Sequence, residues 1–153
     1  MVLKRRREGR TDYRRRMKLL ASERPRCVVR LTSRHAVVQF VEYRELGDHV
    51  LTGATSKELP GWTRNAASVP AAYLAGYLAG KKAQALGIDE AIVDAGFVDP
   101  RGNERLRCCI KGVIDSGVEM PFSLECDEDR IRGKHIGIED LFNNVLGSIK
   151  GGE

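Results

Sequence analysis

The sequence predicts an α/β fold in which helices pack on one mixed sheet. Three strand-like runs, rich in valine, follow one another over residues 27–31, 35–43 and 50–55. A helix-forming segment then spans residues 69–86, and the elements that complete the pattern are a short apolar strand at 91–94 and a second helix at 104–116. The predicted order is therefore β-β-β-α-β-α.

The spacing of these elements also predicts how the strands pair. Short polar turns at residues 32–34 and 45–48 separate the first three strands, which is typical of an antiparallel meander. The fourth strand comes after a helix, so its connection is a crossover and favours parallel pairing. The predicted sheet is mixed for this reason.

Capping residues mark the ends of both helices. Ser68 and Asn103 suit the N-cap position, Pro70 fits a first helical turn, and Gly87 and Gly117 are suited to ending a helix. In the second helix the apolar residues recur at helical spacing and predict one face packed on the sheet; they are Leu106, Cys109, Ile110, Val113 and Ile114.

Small residues form a line along the first of these helices. Ala72, Gly76, Gly80 and Ala83 recur at i, i+4, i+8 and i+11. Such a line lets another backbone approach closely, and we expect the sheet to be that neighbour. A membrane dimer motif is disfavoured because the uncharged run is too short to cross a bilayer.

Charge is distributed unevenly along the 153 residues. Residues 1–34 contain thirteen Lys and Arg, eleven of them Arg, against three acidic residues, whereas the other 119 residues contain 13 basic and 18 acidic groups. We therefore divide the chain into a basic arm (1–24), an α/β body (25–121) and a short C-terminal extension (122–153), which has one predicted helix near 138–146. Guanidinium groups favour phosphate, so the arm predicts binding to a polyanion.

The arm also contains a predicted short helix. Tyr13, Met17 and Leu20 lie at i, i+4 and i+7, and either Thr11 or Asp12 could cap the helix. Because this apolar stripe is narrow, we expect the helix to become ordered only when phosphate groups neutralise its cations. The alternative is a solvated tail that aids solubility.

Membrane insertion and secretion are not expected. The longest stretch without a formal charge, residues 65–80, is shorter than the ~20 apolar residues of a membrane span. The N-terminus runs directly into Lys4 and three arginines without the apolar core of a secretory signal, so a cytoplasmic location is expected. The spacing of the four cysteines predicts free, mostly buried thiols.

Catalysis is not expected either. The element order resembles the ribonuclease-H-like fold, whose chemistry uses carboxylates on the first and fourth strands to hold two metal ions. Asp94 occupies the fourth-strand position, but residues 27–31 of the first strand contain no acid. No phosphate loop, dinucleotide fingerprint or nucleophile elbow is present. We therefore predict no catalytic residue, no metal and no cofactor.

Six blocks of the chain are informative together: RRREGRTDYRRRMKLL at 5–20, ERPR at 23–26, SRH at 33–35, PAAYLAG at 70–76, GIDEA at 87–91 and RIRGKHI at 130–136. Taken in order, these blocks resemble the L-eighteen family of large-subunit ribosomal proteins in its archaeal form. The resemblance implies a structural protein that binds 5S rRNA, helps attach it to the large-subunit rRNA at the central protuberance, and neighbours the L-five family member.

Chemistry then assigns contact roles within this resemblance. Phosphate contacts are expected from the cations of the arm, with Tyr13 packing on a sugar or base, and the contact surface is expected to continue along the sheet edge. The predicted RNA-binding residues are Lys4, Arg5, Arg6, Arg7, Arg10, Tyr13, Arg14, Arg15, Arg16, Lys18, Arg24, Arg26, Arg34 and His35. Recognition should depend on RNA shape and backbone, because the A-form major groove is too narrow for side chains to read.

Two other functions share part of this pattern. An RNA-binding maturation or regulatory factor outside the ribosome would carry a similar arm. A metal-dependent nuclease of ribonuclease-H-like type would share the element order, but it would need a carboxylate on the first strand, which this chain lacks.

Overall fold

The computed structural model describes residues 2–123 and 125–151; Met1 of the predicted arm, and Leu124, Gly152 and Glu153 of the predicted extension, lie outside the described residues. The elements in chain order are α1 (Lys4–Arg7), α2 (Tyr13–Leu20), β1 (Arg26–Leu31), β2 (Ala36–Glu42), β3 (His49–Thr55), α3 (Val69–Ala85), β4 (Ile92–Asp94), α4 (Glu104–Asp115), α5 (Glu128–Arg132), a 3-10 turn (Lys134–Ile136) and α6 (Glu139–Gly151). Within these residues, none of the helices has the length and apolar character of a membrane span.

The four-stranded sheet has the order β3-β2-β1-β4. β1 pairs antiparallel with β2, β2 pairs antiparallel with β3, and β4 runs parallel to β1. The α/β class, the mixed sheet and the order β-β-β-α-β-α are therefore confirmed. The ends of these six elements lie within one residue of the predicted bounds. Likeness to the ribonuclease-H-like fold stays a prediction.

The two faces of the sheet have different neighbours because side chains alternate along each strand. Cys27 and Val29 of β1, together with Val38 and Phe40 of β2, are buried in the main core. α3 and α4 cover this inner face. The opposite, outer face includes Arg30, which is exposed, and it is the face beside the N-terminal arm.

α3 and α4 cross at very short range, and glycine allows it. A Cβ atom on Gly76 would collide with the carbonyl oxygen of Cys109, and one on Gly112 would collide with the carbonyl oxygen of Tyr73. Gly80 similarly lies against Ser116. The prediction that the small residues of α3 approach the sheet is therefore wrong at Gly76 and Gly80, which face α4.

The C-terminal residues build a second core on the side of α3 away from the sheet. Phe142, Val145 and Ile149 of α6 are buried against Tyr73 and Tyr77 of α3. The Tyr73 and Phe142 rings are 5.8 Å apart between centroids. The helix predicted at 138–146 is present but longer, because the apolar spacing continues to Ile149. Much of the extension thus packs on the body.

The four cysteines are free thiols, as predicted, and Cys27, Cys108 and Cys109 are buried. Burial raises the pKa of the Cys109 thiol to about 12. These groups are protonated at neutral pH and act as small apolar core residues.

Candidate nucleic-acid interface

The arm contains two short helices with exposed cations. α1 ends at Arg7, and Gly9 follows it with a φ of +64°, in the left-handed region that glycine adopts readily. The N-cap of α2 is Asp12, whose carboxylate accepts hydrogen bonds from the amides of Arg14 and Arg15 at 3.0 and 3.1 Å. Of the two predicted N-caps, Asp12 is the one used. α2 has no buried residue, as its narrow apolar stripe predicts.

Two arginines of α2 connect the arm to the body. Arg15 donates to the carbonyl oxygen of Gly96 at 2.7 Å. Arg16 makes a bidentate contact with Asp48, with nitrogen-to-oxygen distances of 2.7 and 3.0 Å. The sequence predicts both arginines as RNA contacts, and it contains no signal that pairs them with residues more than thirty positions away. In this structure they fix the orientation of α2.

A network of ion pairs, which we call the junction, lies where the arm meets the body and consists of Arg16, Asp48, Arg26, Asp94 and Arg30. Asp94 belongs to it because of the strand register. β1 and β4 pair with Val28 opposite Asp94, and residues paired across neighbouring strands share a face of the sheet. Arg26 and Arg30 flank Val28 on the same face. The result is a carboxylate placed between two arginines: Arg26 reaches Asp94 at 2.9 Å and Arg30 reaches it at 3.4 Å.

Arg26 joins both carboxylates of the junction. Its guanidinium lies 2.7 Å from Asp48 and 2.9 Å from Asp94, and its side chain is only 3% exposed. The sequence predicts Arg26 as an RNA contact. The structure buries it beneath the arm with its guanidinium paired to two carboxylates, because its position at the start of β1 brings it between Asp48 and Asp94.

These contacts keep both aspartates ionised. Burial alone would raise the pKa of Asp94, but the Gly96 amide and the Arg30 guanidinium outweigh it and hold that pKa below its usual value. Burial also opposes ionisation of Asp48, and hydrogen bonds from Arg16 and Arg26 lower its pKa nevertheless. The hydrogen bond to Asp48 raises the pKa of Arg16. The aspartates and arginines of the junction are therefore all ionised.

The remaining predicted residues occupy three separate places. The exposed cations of the arm belong to α1, α2 and the segment between them: Lys4, Arg5, Arg6, Arg7, Arg10, Arg14 and Lys18. Arg24 follows the arm and pairs with Glu90 at 3.1 Å. Arg34 and His35 lie in the β1–β2 turn, one six-residue strand away from Arg26, or about 20 Å.

A groove of about 540 Å³ lies between the arm and the outer face of the sheet. Its lining residues include Arg5, Arg10, Tyr13, Arg15, Arg30, Gln39, Asp94 and Phe97. Sequence reasoning did not select Arg30, Gln39 or Phe97. The alternation of β1 could have found Arg30, because it lies two residues from Val28 on the same face, but Phe97 follows β4 and carries no such signal.

Asp94 does not resemble a metal ligand in this arrangement, because arginines occupy its carboxylate. Among residues 2–123 and 125–151, no group of three or more His, Cys, Asp or Glu side chains is placed to hold a metal ion. The chemistry that the surface offers is hydrogen bonding from guanidinium groups to anionic oxygens.

Comparison with known proteins identifies the family of this chain. Residues 1–92 match the family described as ribosomal large subunit proteins 60S L5 and 50S L18. The chain belongs to this family. A relative from Korarchaeum cryptofilum is 49% identical over 137 residues, which cover 87% of this chain and 70% of that protein.

Two further relatives give the same result. The one from Methanoregula boonei is 42% identical over 153 residues, covering 97% of this chain and 86% of that protein. The one from Thermofilum pendens is 45% identical over 138 residues, covering 88% of this chain and 70% of that protein. All three relatives are named large ribosomal subunit protein uL18.

Membership confirms the resemblance that the sequence blocks indicate. The chain is a large-subunit ribosomal protein, and such a protein is located on the cytoplasmic ribosome with rRNA and other ribosomal proteins as its general partners. The family is a ribonucleoprotein component and normally non-enzymatic.

Proposed function

We propose that this protein binds 5S rRNA and helps attach it to the large-subunit rRNA at the central protuberance, beside the L-five family protein. It acts as a structural component without catalysis. The observation that carries the proposal is the free charge of the arm. Five of its cations are exposed and make no ion pair with a described residue: Arg5, Arg6, Arg7, Arg14 and Lys18.

The arm is suited to bind an RNA backbone. Guanidinium forks match the geometry of phosphate oxygens, and Tyr13, half-buried at the start of α2, is available to pack on a sugar or base. Arg15 and Arg16 support this role indirectly, because their contacts with the body orient the free cations. Arg24, Arg34 and His35 remain proposed contacts at separate points, and Arg26 is proposed to hold the arm.

Neutralising α1 tests the proposal directly. We expect Arg5→Gln, Arg6→Gln and Arg7→Gln, combined in the full chain, to weaken 5S rRNA binding by about tenfold or more. The slope of log affinity against log salt should fall by about 2 to 3, since each lost phosphate contact removes roughly 0.7 to 0.9. Filter binding over a salt series measures both quantities.

A charge-matched control separates a local effect from a general one. Lys57, Arg64 and Arg101 are exposed cations outside the arm. Replacing these three with glutamine removes the same charge and should change the affinity by less than about threefold. Equal losses in the two triple variants would contradict a binding surface on the arm.

Asp48 gives a second test, because charge and orientation predict opposite results. Removing a carboxylate should tighten RNA binding if long-range charge alone mattered. We expect Asp48→Asn to weaken 5S rRNA binding by about threefold to tenfold, because Arg16 loses its bidentate partner and α2 loses its fixed orientation. Filter binding at one salt concentration measures this difference.

Glu45 is the matched control for Asp48. It lies in the same β2–β3 turn, is exposed, and makes no ion pair with a described residue. Glu45→Gln should leave the affinity unchanged or slightly higher. If Asp48→Asn binds RNA as tightly as Glu45→Gln does, the ion pair with Arg16 does not orient the arm for binding.

A further inference from the structure

The groove between the arm and the sheet has the volume of a small-molecule site. Its volume of about 540 Å³ lies in the range of ~300 to 1,000 Å³ found for ligand pockets. A base-paired helix is far too large to enter it. The occupant must therefore be a single small group, or one unit of a larger molecule.

Charge selects an anionic occupant. Among the described residues that line the groove are six arginines and three aspartates. Asp48 and Asp94 are already paired with arginines of the junction, and Asp12 caps α2. Arg5 makes no ion pair with a described residue, so its guanidinium is available to a phosphate.

An exposed aromatic ring indicates what accompanies the phosphate. Phe97 lines the groove and is 63% exposed, so its ring is accessible to a ligand. It follows Gly96, whose carbonyl oxygen holds Arg15 and whose Cα lies beside the Arg30 guanidinium. An aromatic face next to arginines is the pattern on which proteins stack unpaired RNA bases.

A polar group on the sheet completes the site. Gln39, on β2 opposite Val28, lines the groove and makes no side-chain hydrogen bond to another described residue. Its amide offers both a donor and an acceptor, as the edge of a base requires. Phosphate, base face and base edge would each find a partner within one groove.

We propose that this groove binds one unpaired nucleotide of the RNA, with its base stacked on Phe97 and its phosphate on Arg5. The inference rests on the proposed RNA-binding function and adds a preference for unpaired nucleotides to the phosphate contacts of the arm. A bulged nucleotide is the simplest source, because extruding it breaks no base pair.

Two RNA duplexes of equal length test this site, one fully paired and one carrying a single-nucleotide bulge. The unmodified protein should bind the bulged duplex about tenfold more tightly, the contribution of one stacked base. Phe97→Ala should abolish this preference and keep the affinity for the paired duplex within about twofold. Phe97→Trp should retain the preference, since its ring also stacks.

Val98→Ala is the matched control, because Val98 is the next residue, is 40% exposed and has no aromatic face. It should retain the preference for the bulge. Thermal unfolding of each variant checks that the fold is intact, and little change is expected at these exposed positions. Equal affinity of the unmodified protein for the two duplexes would overturn the nucleotide site, as would an equal loss on both duplexes in Phe97→Ala.

Failure of this site is distinguishable from failure of the proposed function. If the preference for the bulge is absent but paired-duplex binding still falls in the α1 triple-glutamine variant, the arm binds RNA and only the nucleotide site is wrong. If neither duplex binding nor 5S rRNA binding depends on the arm, the proposed function itself fails.

Discussion

Replacing Gly112 by alanine is expected to lower the free energy of unfolding by about 3 kcal/mol. Gly112 lies where α4 crosses α3, and a Cβ atom there would collide with the carbonyl oxygen of Tyr73. The obstructing group is backbone, so relief requires the two helices to move apart. That movement would disturb the main core between the helices and the sheet, since Cys109 and Val113 on either side are fully buried. Urea denaturation of the purified protein measures the change.

Gly147 provides the control for this substitution. It lies within α6, is exposed, and has no heavy atom within 4 Å of the position that a Cβ would take. Gly147→Ala should raise the free energy of unfolding by about 0.5 to 1 kcal/mol, because alanine is the better helix former. Similar effects at the two positions would mean that α3 and α4 do not approach as closely as the structure indicates.

The small-residue line of α3 shows where sequence reasoning stops. The line predicts a close backbone neighbour, and one is present at Gly76 and Gly80. Its identity could not be predicted, because most of α3 is buried and small residues face both the sheet and α4. The informative signal is Gly112, since a glycine inside an apolar helix is costly unless another backbone needs the space.

Part of the candidate site could likewise be predicted from the sequence and part could not. Local composition predicts the arm and its exposed cations, because a short segment with many arginines and few apolar residues has nothing to bury. The ion pairs of Arg16 and Arg26 could not be predicted, since their partners lie 32 and 68 positions away. A cation at the start of β1 suits RNA and a buried carboxylate equally well. Strand register, which the sequence leaves open, decides between the two.

Asp94→Asn is the second substitution with a large expected effect, a loss of about 3 kcal/mol in the free energy of unfolding at neutral pH. The asparagine keeps the shape of the side chain but removes the charge that faces Arg26, whose side chain is 3% exposed. A buried guanidinium that loses one of its two carboxylates retains its desolvation cost. Asp89→Asn is the control, because Asp89 is exposed and makes no ion pair with a described residue, and it should change stability by less than about 0.5 kcal/mol.

The pH dependence of the free energy of unfolding tests whether the lost charge is what destabilises Asp94→Asn. The pKa of Asp94 is lowered in the folded protein, so the unfolded chain takes up a proton at a higher pH than the folded one. The stabilisation is therefore complete above about pH 5 and is lost as the pH falls through the unfolded value near 4 and then through the folded pKa. Asp94→Asn should lack this part of the acid-induced loss, so its curve should approach that of the unmodified protein at low pH. Parallel curves would instead attribute the effect of Asp94→Asn to packing, because a pure packing defect costs the same at every pH.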